Sequence, residues 1–245
     1  MQANLFSSGQ SAELRSIRDR LRVVFGPIRD AERLDPTSQF VRSFLGAKTY
    51  DRNSWNAFRR LTRHFRNWDA LADAPVGEIE ALLEDVTLQE KKAPDLKAAL
   101  RHIRSRAGAI DLEFLETLDV DTALVWLEQI HGVGRKIAAS TLNFSSLRKR
   151  AFVADTHVIR VLTRFGMVKH AAKTKDAYNA VMESAESFDA DDLYELHWYL
   201  KKLGQQTCRP FRADCKTCRL SNICLKRMDE GRSLAASPLG GAQFF

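Results

Sequence analysis

Apolar residues recur three and four positions apart along almost the whole chain, with charged residues between them, and this spacing predicts helices. Leu14, Ile17, Leu21 and Val24 form the first stripe, with Ser11 as its N-cap and Gly26-Pro27 as its stop. Asp35-Pro36 then offers a cap followed by proline at the first helical position, and Phe40, Val41, Phe44 and Leu45 supply the buried face. A turn around Lys48–Asp51 leads to Trp55, Phe58, Leu61 and Phe65, a stripe with an arginine-rich outer side. Shorter helices are expected near Trp68–Leu71, through Ile79, Leu82, Leu83 and Val86, and through Ala93, Leu96, Leu100 and Ile103, with another piece marked by Leu112, Leu115 and Leu118. Further faces follow at Val158, Ile159, Leu162 and Phe165, at Ala177, Tyr178, Val181 and Met182, and at Leu193, Leu196 and Leu200. No stretch alternates with period two, so no strand is expected and the fold class is all-α, with about ten helices. Residues 1–10 read as a mobile arm, and the tail from about Asp229 to Phe245 as disordered.

The most informative pattern lies between two of these helices. Ala123, Leu124, Leu127 and Ile130 precede Gly132-Val133-Gly134-Arg135-Lys136, and Ile137, Ala138, Thr141 and Leu142 follow it. Two apolar-faced helices joined by a turn with two glycines read as a helix-hairpin-helix over about 123–146. Glycine reaches positive φ and lets main-chain N–H groups approach a phosphate at a helix start, so such a turn grips nucleic-acid backbone without reading bases. The plainer reading, a connection between two core helices, is disfavoured by Arg135-Lys136 directly after the turn.

Composition narrows the partners. The 38 basic and 31 acidic residues of this 245-residue chain give a net charge of +7, with a pI near 9.4, a balance suited to a polyanion. No apolar run is long enough for a membrane span, and the N-terminus lacks the apolar core of a secretion signal, so a cytoplasmic, nucleoid-associated monomer is expected. In that reducing compartment the crowded cysteines Cys208, Cys215, Cys218 and Cys224 read as metal ligands, not disulfides. Structural zinc commonly draws on two C-x-x-C knuckles, and only one occurs here. A four-iron, four-sulfur cluster accepts the irregular C-x6-C-x2-C-x5-C spacing, which favours it over zinc. Arg209, Arg212, Lys216, Arg219, Lys226 and Arg227 rim the site, as solvated surface or as phosphate ligands.

Together the hairpin with Lys136, the run Val153-Ala154-Asp155-Thr156-His157-Val158 and the cysteine pattern resemble endonuclease III, the iron–sulfur branch of the helix-hairpin-helix DNA glycosylases. The resemblance covers roughly residues 12–228. It implies a six-helix barrel domain over 37–149, a cluster domain made from 12–36 and 150–228, a flexible arm at 1–11 and a disordered tail at 229–245. Duplex DNA containing damaged bases or abasic sites would bind across the cleft between the domains, with a [4Fe-4S] cluster as cofactor. Lys136 falls where the family has its nucleophile and Asp155 where it has its catalytic carboxylate. Each has a plainer role open to it: a phosphate contact for Lys136, a helix cap for Asp155. The implied DNA contacts are Gly132, Gly134, Arg135, Lys48, Leu88, His157, Arg209 and Arg212, His157 as a structural or backbone-contacting residue rather than a proton shuttle. Arg135 and partial burial are expected to lower the pKa of Lys136.

Three departures stand out. Lys48 occupies the place of the usual wedge glutamine, His131 that of the usual proline before the first hairpin glycine, and residues 108–122 are longer than the matching loop. Adenine glycosylases of this type usually lack the lysine and carry a further C-terminal domain, so a bifunctional glycosylase and AP lyase acting on oxidised or damaged pyrimidines is expected. The alternatives are a thymine or uracil mismatch glycosylase, or a non-catalytic module that binds distorted DNA.

Overall fold

A computed structural model of the chain describes residues 4–28 and 33–225, the side chains of 4–10 excepted. It is all-helical: α1 (Asn4–Phe25), α2 (Pro36–Leu45), α3 (Asp51–His64), α4 (Trp68–Asp73), α5 (Val76–Leu82), α6 (Gln89–Ala107), a 3-10 turn (Glu113–Thr117), α7 (Val120–Glu128), α8 (Arg135–Phe144), α9 (Thr156–Phe165), α10 (Thr174–Ser184) and α11 (Ala190–Gln206). Among the described residues no strand forms, and the isolated β-bridge pairs Cys208 with Ala213. No described helix is long and apolar enough to cross a membrane.

Local chemistry places the helix starts. Asp35 accepts from Ser38 N at 2.8 Å, with Pro36 opening α2. Asn67, Asp119 and Asp189 cap α4, α7 and α11 in the same way, each meeting an N–H that the helix itself leaves unbonded. The first helix differs from the expectation. It begins at Asn4, so residues 4–10 are helical, and Ser11 lies inside the helix instead of capping it. The tail from Asp229, together with Lys226 and Arg227, lies outside the described residues.

The apolar stripes pack into one continuous core. Two expected members stay outside it: Val24 is 44% exposed and Trp55 38% exposed, the latter lying under the Arg42 guanidinium, 4.8 Å from its ring centre. Helices α2 to α8 pack chiefly on one another, with α8 against α2 and α7, and α6 against α4 and α5. α1, α9, α10 and α11 form a second set, joined to the first where α10 and α11 meet α8. The long 108–122 segment is a largely exposed strap anchored by the buried side chains of Ile110, Leu112 and Leu115. Leu112 donates its N–H to Thr37 Oγ1 at 3.0 Å, Phe114 meets Trp126 edge-on at 5.0 Å, and Lys149 Nζ donates to Glu116 O at 3.0 Å.

Candidate active site

α8 starts where the hairpin ends. Gly132 has φ +79°, and a Cβ built on it would sit 3.4 Å from the Phe44 ring. The left-handed conformation and the ring against it both call for glycine here. Gly134 is the N-cap of α8 and has no side chain to accept from the first-turn N–H groups, so no capping side chain occupies this helix end. His131, in the place where proline was expected, is exposed, with Nε2 4.0 Å from Asp95.

Lys136 lies in the first turn of α8, and a Cβ on Gly46 would come within 3.7 Å of its Nζ. Among the described residues none forms a hydrogen bond or ion pair with that nitrogen. Burial, then the like charge of Lys201 and of Arg42, draw its pKa from 10.5 down to about 8, against the opposing pull of Asp155 and Asp51. A useful fraction of neutral amine therefore exists near neutral pH. A cavity of about 460 Å³ opens beside Lys136, walled also by Ala47, Gly134 and Lys173–Lys175.

Asp155 caps α9. Its Oδ1 accepts from the N–H groups of His157 and Val158, both at 2.9 Å, leaving Oδ2 toward Lys201 at 3.8 Å. Burial opposes ionisation, yet the charges of His197 and Lys201 and the Val158 N–H hold this carboxyl below the usual range. Behind it, His197 is buried and donates from Nδ1 to Val153 O at 2.7 Å. Burial pulls its pKa to about 4 despite Asp155, so it is neutral at pH 7.

Arg135 is not among the charges that act most on Lys136. Its guanidinium pairs with Glu128, Nη2 lying 3.2 Å from Oε2, and stacks 4.6 Å from the Tyr178 ring centre. It lines the cavity beside Lys136 together with Val133 and Gly134, and the positive charges that act most on Lys136 are Lys201 and Arg42. Those two, with Asp51 and His197, were missed by sequence reading. The available signal was spacing: Lys201 follows His197 by one helical turn on α11, so the pair shares a face.

Lys48 and Leu88 are both exposed and both left-handed, with φ of +56° and +60°. That conformation is costly for a branched or long side chain and tends to be kept where function needs it. Their two loops are tied together: Thr87 N–H donates to Thr49 Oγ1 at 3.2 Å, and buried Lys92 Nζ donates to Thr49 Oγ1 at 2.8 Å and to Leu45 O at 2.9 Å. His157 is partly buried, with Nδ1 3.2 Å from Arg160 Nη2; Arg160 in turn donates to Cys208 O and Gly204 O.

All four cysteines line one hollow with Val161, Phe165 and Leu220. Arg164 fastens the loop, donating to Cys208 Sγ at 3.4 Å, Arg209 O at 2.7 Å and Pro210 O at 2.7 Å. Burial and then the neighbouring cysteines push the Cys218 thiol up. Arg209 and Arg212 are exposed on this loop, with Phe211 between them 95% exposed.

With this geometry in view, the family model of the HhH-GPD superfamily base excision DNA repair proteins matches residues 41–187, more than half of the chain. The chain belongs to this family. Among its relatives, endonuclease III of Thermotoga maritima is 26% identical over 199 residues, covering 80% of this chain and 85% of its own. DEMETER-like protein 2 of Arabidopsis thaliana is 28% identical over 172 residues, 64% of this chain but 13% of its own length. The chain thus spans only a small part of that plant relative. A structure of a trapped endonuclease III–DNA covalent intermediate superposes with a TM-score of 0.73 at 20% identity, covering 88% of this chain and 96% of that one. The all-α fold is therefore that of a helix-hairpin-helix base-excision repair glycosylase.

Proposed function

We propose that this chain is a bifunctional DNA glycosylase and AP lyase that removes oxidised or damaged pyrimidines from duplex DNA. The observation that carries the reading is a Lys136 amine with no hydrogen-bond or ion-pair partner among the described residues, with a pKa near 8, beside a cavity and under the electrostatic pull of the Asp155 carboxylate. The Lys136 Nζ bonds to C1′ of an extruded nucleotide as the glycosidic bond breaks, and the base leaves with the bonding electron pair. Positive charge gathers on the sugar in that step, and the Asp155 carboxylate stabilises it electrostatically. Ring opening gives a protonated imine between Lys136 and the sugar. Loss of a C2′ proton then expels the 3′-phosphate and nicks the strand. Extrusion costs a few kcal/mol and is cheapest at damaged pairs. Lys48 and Leu88, on loops tied to one another, fill the gap in the stack, and the turn at Gly132–Gly134 holds the backbone. His157, Arg209 and Arg212 extend that contact.

The two sets of helices are read as the barrel domain, 37–149, and the cluster domain, 12–36 with 150–228. The four thiols fit a [4Fe-4S] cluster. They line one apolar hollow together with Val161, Phe165 and Leu220, which supports one group bound by all four. Cys208, Cys215, Cys218 and Cys224 would hold the cluster, which stiffens the loop carrying Arg209 and Arg212 and takes no part in bond breaking.

A mismatch thymine glycosylase is the second reading. The thymine-DNA glycosylase of Aeropyrum pernix is 25% identical over 194 residues, nearly level with the endonuclease III relative. The test is borohydride trapping on a duplex with one abasic site, followed by a panel of duplexes each carrying one defined lesion. A covalent adduct that disappears in Lys136→Ala, with release of oxidised pyrimidines, is the expected result. Absence of an adduct from the wild-type protein overturns the lyase, and excision of thymine from mismatches alone favours the second reading.

A further inference from the structure

A second lysine lies where the two sets of helices meet. Lys201, on α11, is buried, with Nζ 2.7 Å from Asp51 Oδ1, 3.8 Å from Asp155 Oδ2 and 4.9 Å from the centre of the Trp198 ring. Asp51 opens α3 on the facing set of helices, so this ion pair spans the cleft. Asp155 already gives Oδ1 to the N–H groups of α9, and the oxygen that remains is the one Lys201 faces. Two lysines thus meet two aspartates, and Lys201 takes both while Lys136 is left with neither.

We infer that Lys201 is a positioning residue for the Lys136 amine: by occupying Asp51 and Asp155, and by adding like charge beside Lys136, it keeps that amine unpaired and available for attack. The inference rests on the proposed role of Lys136. Glu128 on α7 and Lys173 and Lys175 at the start of α10 line the cavity beside Lys136, and the other charged groups around it come from five elements. They are Arg42 on α2, Asp51 on α3, Lys92 on α6, Asp155 at the cap of α9, and Lys201 with His197 on α11. Asp155 and Asp51 favour the ammonium, and burial, Lys201 and Arg42 oppose it. His197 is neutral at pH 7, and Lys92 is held by carbonyls at the end of α2. Removing Lys201 therefore acts twice in one direction. A repelling charge disappears, and two carboxylates become free to pair with Lys136, so the ammonium persists to higher pH.

Lys201→Met keeps the stem and removes the charge, with Lys201→Gln as the substitute if methionine is not tolerated; Lys201→Arg keeps the charge. Two measurements separate this inference from the reading beneath it. The first is the rate of acetylation of Lys136 across the alkaline range in the folded protein without DNA, read by peptide mass spectrometry. The wild-type midpoint is expected near pH 8, the Lys201→Met midpoint about one unit higher, and Lys201→Arg back near the wild type. The second is the rate of borohydride-trapped adduct formation on an abasic duplex, expected about tenfold slower at pH 7 in Lys201→Met and recovering as pH rises. A Lys136 midpoint unmoved in Lys201→Met, or moved equally in Lys201→Arg, overturns the inference, whatever the adduct shows. A shifted midpoint with no wild-type adduct leaves the tuning of Lys136 standing and removes the lyase.

Discussion

Asp155 shows how one side chain carries two jobs that can be separated. One oxygen closes the first turn of α9, and the charge as a whole faces the Lys136 side of the cleft. Asparagine caps a helix as well as aspartate, so Asp155→Asn keeps the fold and loses only the charge. Its stability is expected within about 0.5 kcal/mol of the wild type, and its base excision lower by roughly a hundredfold or more. Asp155→Ala loses the cap as well, at about 1 kcal/mol. Urea unfolding beside single-turnover excision checks the pair. Equal loss of stability in both variants would mean that the buried charge, and not the cap, holds this end of α9.

The hairpin carries its prediction at the scale of an element. Its two glycines look alike in sequence and differ in structure. Gly132 is left-handed against the Phe44 ring, whereas a Cβ on Gly134, at φ −105°, meets nothing within 4 Å. Gly132→Ala is expected to cost about 1–2 kcal/mol of stability from backbone strain. Gly134→Ala is expected to melt like the wild type but bind duplex DNA more weakly, because its new methyl stands where a phosphate would approach the N-terminus of α8. Thermal melts and fluorescence anisotropy at one fixed salt concentration distinguish them. A Gly134→Ala protein with unchanged affinity would show that the backbone of this turn does not touch DNA.

For the molecule as a whole, the buried groups of the cleft set how stability follows pH. His197 is held at a pKa of about 4 by burial, against an ordinary value of 6.5. The unfolded chain therefore takes up a proton between those values that the folded chain refuses, and stability falls as pH drops from 6.5 toward 4, by at most about 3 kcal/mol. Lys136 acts likewise in the alkaline range. Its folded pKa of about 8 lies below 10.5, so stability rises with pH between them. Chemical denaturation between pH 5 and 6.5 is expected to give a steeper loss for the wild type than for His197→Gln. Parallel slopes would show that His197 does not carry the effect.

Sequence alone determined what depends on neighbours along the chain. The apolar spacing of Phe40, Val41, Phe44 and Leu45, the cap at Asp35 with Pro36, and the cap at Asp155 are all visible there, because a helix stripe and its first turn are made from residues within a few positions of each other. Motif spacing likewise carried the family, through the hairpin glycines and the cysteines. Tertiary structure decided everything that depends on which side chains meet across the cleft. Arg135 follows the hairpin in sequence but is captured by Glu128 and Tyr178, while Lys201, sixty-five positions beyond Lys136, supplies the charge expected of it. A side chain's pKa and its freedom to react are set by burial and by charges a few ångströms away in space, and no spacing rule along one helix reports those.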